Sequence, residues 1–392
     1  MERLIGTVTR GIRTPIIKEG DDLVQIVTDS VINALDANNV TMQDQDIVCI
    51  TESLQARSQG NFATIDQIAK DVASKYSGEI GIVFPILSRN RFAVLLKGIA
   101  KAGLKLHILL SYPADEVGNH LMDERLLMNQ GINPYTDVLE EADYRKMFGD
   151  DVRHTFTGVD YVNLYKEIAP NCEIHLSNDP QTILNYTDQV LICSVHDREH
   201  IKKSLKDSGA SVVYGLDDLL TEPVDGSGYN QEYGLLGSNT ADETSVKLFP
   251  RDCQTLVDAV QERLQEHSGK QIEVMIYGDG AFKDPVGKIW ELADPVVSPA
   301  YTSGLEGTPN EIKIKYVADN EMKHLSSDES TSLIRQKIKE KQQNESEDYT
   351  IGTTPRRLTD LIGTLADLTS GSGDKGTPVV YIQGYFDDYA SN

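Results

Sequence analysis

Apolar and polar positions along the chain change texture twice. The opening reads as a strand at residues 3–9, an irregular polar stretch, and a helix from 23 to about 35 with Asp21 or Asp22 placed to cap it. An apolar run at 46–51 predicts a strand, followed by a polar loop over 52–61 and a helix near 64–75. From about 89 to 230 the pattern becomes strand–helix alternation. Strands are expected at 106–111, 172–176, 189–195 and 211–214, with helices such as 196–207 between them, which is the pattern of a parallel sheet. The Pro-, Asp- and Gly-bearing stretch 221–231 marks a boundary.

The last third returns to mixed texture. A helix over 252–266 carries Leu256, Val257, Val260 and Leu264 on one face, and a strand over 271–277 ends at Gly278-Asp279-Gly280. A further strand is expected at 311–317. Residues 320–349 are charged and poor in large apolar side chains, and read as a solvated helix with a mobile flank. The chain closes with a helix at 357–369, a Gly-rich loop and a strand at 377–383. The fold class expected is α/β (mixed α+β), a mixed-sheet core interrupted by an inserted parallel-sheet α/β domain. The division is 1–88, 89–230 and 231–392.

Composition narrows the function classes. The chain has 392 residues, of which 37 are Lys or Arg and 61 are Asp or Glu, for a net charge of −24. Such a surface repels phosphate backbones and anionic lipid, which disfavours nucleic-acid and membrane partners. No apolar run approaches the ~20 residues of a bilayer span, and the N-terminus lacks the apolar region of a secretion signal. The expected location is the cytoplasm. Cys49, Cys172, Cys193 and Cys253 form no Cys-x-x-Cys pair, so buried free thiols are expected for Cys49 and Cys193 in their apolar runs. The histidines show no metal-ligand spacing; His196 and His200 read as surface residues.

Candidate chemistry lies in loops. Gly371, Gly373 and Gly376 match the spacing of a dinucleotide fingerprint, but the order is helix–loop–strand instead of strand–loop–helix, so that reading fails. What remains is a loop whose backbone N–H groups can approach a phosphate, or else a plain helix-to-strand connection. Asp279, after a strand and between glycines, suits a magnesium or manganese ligand, or a turn aspartate. Arg57 is a fixed cation for a phosphate, or a solvated surface arginine.

Taken together these segments resemble the coenzyme F-420-0:L-glutamate ligase family. Pro15-Ile16-Ile17-Lys18-Glu19-Gly20-Asp21-Asp22-Leu23 is similar to its opening P-x-I-K-x-G-D-D-L, and Arg57-Ser58-Gln59-Gly60 to its K-A-E-G loop. Gly234-Leu235-Leu236-Gly237-Ser238-Asn239 resembles its A-G-I-D-A-S-N, and the strand to Gly278-Asp279 its T-D-T-N-G segment. Asp360 through Pro378 resembles its closing helix and Gly-rich loop. The resemblance covers residues 1–88 and 231–392, leaving 89–230 without a counterpart.

The resemblance implies a dimeric enzyme that joins L-glutamate to a carboxylated acceptor by a γ-linked amide. GTP (or ATP) would drive it, with Mg or Mn. It implies Asp279 and Arg57 as catalytic, Asp279 and Asn239 at the metal, and Pro15, Ile16, Glu52 or Ser53, and Arg57 at the nucleotide. Gly371, Ser372, Gly373, Asp374 and Gly376 would enclose it. Three positions depart: Leu236 stands where the family has aspartate, Gly280 where it has threonine, and Arg57 where it has lysine. The alternatives are a folate-like acceptor, a non-catalytic nucleotide- or metabolite-binding paralogue, or a redox protein whose insert takes a dinucleotide.

Overall fold

The computed structural model describes residues 4–155, 157–278, 298–309, 311–341, 357–371 and 374–391. Its core sheet has five strands in the order Val8–Ile12, Val379–Gln383, Ile47–Thr51, Glu273–Tyr277 and Ala300–Tyr301. Only the Ile47–Thr51 and Glu273–Tyr277 pair is parallel. Helices Leu23–Ala37 and Cys253–Ser268 cover one face, and Leu358–Thr369 packs on the other. Asp22 caps the first helix by accepting from Gln25 N at 3.0 Å. Leu256, Val257, Val260 and Leu264 all turn inward, as a 3.6-residue period requires.

A second sheet holds six strands in the order Leu139–Glu140, Cys172–Leu176, Lys105–Leu110, Glu79–Val83, Gln189–Ile192 and Val212–Gly215. All pairs are parallel except the edge strand Leu139–Glu140. This confirms the mixed α/β class. The parallel sheet begins upstream of residue 89, because Glu79–Val83 is its central strand and buries Ile80 and Ile82 there. Helices Ile65–Lys75 and Phe92–Lys101 cross closely at Gly98, where a Cβ would stand 2.8 Å from Ile68 Cβ. Chain order reverses between Glu79–Val83 and Gln189–Ile192, the point at which such sheets open a crevice beyond the strand ends. There Glu116 accepts from Val195 N at 2.6 Å, His196 N at 3.0 Å and Ser194 Oγ at 3.2 Å.

A small third sheet, Asn239–Asp242, Ser245–Lys247 and Phe62–Thr64, links the two larger ones. The crossings between them are stitched by Asn61, fully buried, which donates from Nδ2 to Phe249 O at 2.7 Å. Its Oδ1 accepts from Tyr229 N and from Arg251 Nη1.

Several expectations need correcting. Residues 52–61 are not all loop: Glu52–Ser58 is a helix that buries Leu54, Gln55 and Ala56. The strand expected at 311–317 is a helix, Ile314–Glu321. The first strand is Val8–Ile12, further on than 3–9. The helix Ser327–Lys341 lies in the charged segment, yet Ile334 and Ile338 pack with Val317 and Met322. All four cysteines are buried and free. No described helix is long and apolar enough to cross a membrane.

Candidate functional site

Four strand termini of the core sheet meet at one edge. Val379 pairs with both Ile50 and Ile12, and Tyr277 stands beside Thr51. The chain therefore leaves the sheet at Arg13, Glu52 and Gly278, and enters it at Pro378, all at neighbouring positions. Thr51 N donates to Pro378 O at 3.1 Å. The Gly-rich loop is closed at its base by a two-way bridge: Thr377 N to Gly371 O at 3.0 Å and Gly371 N to Thr377 O at 3.3 Å. Arg13 reaches across to it, donating from Nε to Lys375 O at 3.3 Å.

Around this edge the polar groups are half-buried and tied together. Lys247 Nζ lies 2.7 Å from Ser53 Oγ and 3.2 Å from Glu52 Oε1. Asn239 is directly opposite Lys247 in the small sheet, so their side chains share a face. The structure thus ties Glu52 and Ser53 to one ammonium that the sequence patterns do not single out, and sets Asn239 on the neighbouring strand opposite it. The signal was available only through pairing: Lys247 follows a turn and stands eight residues after Asn239 in a hairpin. Asn239 Oδ1 accepts from Thr240 N at 2.9 Å, which leaves the second lone pair of that oxygen open.

One buried hydroxyl here, Thr377 Oγ1, is without a hydrogen-bond partner among the described residues. Burial pushes the Tyr277 phenol far above its ordinary range, with Ser370 beside it pulling the other way. An open cleft of about 760 Å³ runs alongside, lined by Arg13, Pro15, Asp29, Ser30, Asn33 and Thr377 among others.

Not every expected residue joins the cluster. Pro15 lines the cleft, whereas Ile16 is 86% exposed. Arg57 is exposed in the last turn of the helix begun by Glu52, about 7.5 Å along its axis. Its neighbourhood is the opening loop, where Gly20 N donates to Ser58 O at 2.8 Å. Gly371, Asp374 and Gly376 sit in the loop that the bridge closes; Asp279, Gly280, Ser372 and Gly373 lie outside the described residues. Leu236 is buried among apolar side chains and supplies no ligand atom.

A mixed sheet whose strand ends gather a Gly-rich loop, cations and oxygen donors defines the class, an α/β protein with its polar groups collected at one sheet edge. A family model described as F420-0:Gamma-glutamyl ligase matches residues 11–384. The chain belongs to that family, and is by that membership an enzyme of the ligase type that forms γ-glutamyl bonds. No curated protein matches it significantly.

Proposed function

We propose that this chain joins L-glutamate to a carboxylated small molecule, using GTP or ATP and a divalent cation, at the edge where Arg13, Glu52, Gly278 and Pro378 meet. The observation that carries the reading is that convergence: motifs far apart in sequence are brought to one sheet edge. A carboxylate is a poor electrophile. In the proposed reaction an acceptor carboxylate oxygen attacks the γ-phosphorus, and the nucleoside diphosphate leaves. The glutamate amine then attacks the acyl carbon of the resulting acyl phosphate. Phosphate departs as the amide forms, and the amine gives up a proton.

The protein's part is positioning and charge. Arg13, Lys375 and the N–H groups of the Gly-rich loop face the phosphates, and Lys247 fixes Glu52 and Ser53. Carboxylate, carboxamide and hydroxyl oxygens are hard donors and fit magnesium or manganese. Asn239 with Asp279 would hold the ion, which when bound spreads the phosphate charge. Pro15 borders the nucleotide cleft, and the subunits act as a homodimer in the cytoplasm.

The test is release of nucleoside diphosphate by wild type, Asp279→Asn and Lys247→Ala, with glutamate, a panel of carboxylated acceptors including folate-like ones, and Mg or Mn. Metal-dependent turnover lost in Asp279→Asn and depressed in Lys247→Ala is expected. Unchanged turnover in Asp279→Asn would falsify the site. The burial of Leu236, where the family has an aspartate, favours one second reading: a paralogue that binds nucleotide without turning it over. Metal-dependent nucleotide binding with no product across the panel is its signature.

A further inference from the structure

The six-stranded sheet carries a polar cluster in the middle of its apolar strands. His107, in Lys105–Leu110, and His175, in Cys172–Leu176, are both 2% exposed. His107 Nε2 lies 3.1 Å from Glu79 Oε2, and His175 Nδ1 lies 2.6 Å from Glu140 Oε2. An ionised carboxylate can only accept, so each of these ring nitrogens carries the hydrogen. The two nitrogens left over, His107 Nδ1 and His175 Nε2, face each other at 3.3 Å, and in neutral rings both would be lone pairs. Glu173 Oε2 joins them, 3.4 Å from His107 Nδ1. With both rings neutral, three acceptors converge, an arrangement that is repulsive unless a proton or a metal cation sits in their midst.

The dimensions are compatible with a tetrahedral cation. Two nitrogens bound tetrahedrally at about 2.0–2.1 Å stand about 3.3–3.4 Å apart, which is the separation observed. A nitrogen–nitrogen–carboxylate donor set suits zinc and its neighbours better than magnesium or calcium. The surroundings are those of a metal site as well. Each histidine is held from behind by a carboxylate, which fixes the tautomer and strengthens the ligand. Tyr186 stacks on His175 with ring centroids 3.7 Å apart and donates to Glu140 Oε1 at 2.6 Å. Lys105 Nζ takes the other oxygen of Glu173 at 3.1 Å and turns Oε2 toward the histidines.

We propose that the six-stranded sheet binds one zinc-class divalent cation per chain through His107 Nδ1, His175 Nε2 and Glu173 Oε2, with water in the fourth position. The ion ties Lys105–Leu110 to Cys172–Leu176 and stabilises this half of the molecule. This site stands on a different sheet from the ligase edge and does not depend on it.

The test uses the full chain, stripped by chelator and titrated with zinc chloride against a chromogenic competitor, with excess magnesium present. One zinc equivalent is expected in wild type and absent in His107→Gln and His175→Gln, while Glu140→Gln weakens binding about 10- to 100-fold. Zinc should raise the melting temperature of wild type and leave the histidine variants unmoved. Should the variants fail to fold, X-ray absorption of zinc-loaded wild type decides: two imidazole ligands support the site. No stoichiometric zinc in wild type, equal zinc in the variants, or a first shell without imidazole would each overturn it. In the first case a proton shared between the facing nitrogens is what resolves the confrontation, visible in the imidazole nitrogen shifts.

Discussion

The five-stranded and six-stranded sheets place their polar chemistry by opposite means. In the first, Glu52, Arg13 and the Gly371–Thr377 bridge stand just beyond strand ends, and the two central strands Val379–Gln383 and Ile47–Thr51 are largely apolar. In the second, His107 and His175 sit within strands, on the sheet face, closed off from solvent. A strand-end site is assembled by topology and stays open to ligands that come and go. A mid-strand cluster is assembled by register, and its buried polar groups must be satisfied permanently.

The comparison can be broken most forcefully in the cores. Ile50→Ala in the five-stranded sheet and Ile82→Ala in the six-stranded one remove fully buried side chains, and each should lower stability by ~2–5 kcal/mol. Urea denaturation followed by circular dichroism checks this. The large cluster that contains Ile82 also takes in Leu235, Leu236, Val246 and Leu248, so a single transition is expected for both variants.

Next is a pH effect on the six-stranded side. Burial raises the Asp115 carboxyl to about 6, against the pull of its bonds from Asn119 and the backbone of Leu87 and Val117. Between pH 4 and 6 the native state keeps this proton while the unfolded chain releases it. Stability from this group is therefore full below about pH 4 and is lost as pH rises through about 6, by roughly 2–3 kcal/mol. Denaturation of wild type and Asp115→Asn across that window should show stability falling more steeply with pH in wild type than in the variant; equal slopes would refute the assignment.

Smaller effects sharpen the border and the loop. Asn61→Ala strips three buried bonds from the crossings and should cost about 1–3 kcal/mol by leaving polar atoms unpaired. Gly376 has φ of +62° at the Gly-rich loop, so Gly376→Ala should cost about 1–2 kcal/mol. Thermal melts resolve both, and a neutral Gly376→Ala would mean that the loop adopts another backbone path.

The elements that periodicity can report were legible. Cys172–Leu176 was read to the residue, and the inward face of Cys253–Ser268 was read position by position. Glu52–Ser58 escaped because two turns are too short to show a period. Ile314–Glu321 misled because Ile312, Ile314 and Tyr316 alternate as in a strand. Ile314 and Tyr316 are exposed, while burial falls on Val317 and Met322. At the strand-end edge of the five-stranded sheet the motifs name the neighbourhood but not Lys247, whose contacts come from a hairpin. His107 and His175 are 68 residues apart, and no spacing rule joins them. Polar residues inside two strands of one parallel sheet, His107 in one and Glu173 and His175 in the other, are the available sign.

Glu116 has a consequence for what the crevice of the six-stranded sheet admits. Its carboxylate already occupies the N–H groups of Val195 and His196, the kind of socket that holds a pyrophosphate in other doubly wound sheets. Because it arrives on the same chain, it behaves as a tethered competitor, present at an effective concentration on the order of millimolar. A free dinucleotide entering that socket must first evict a resident anion that never diffuses away.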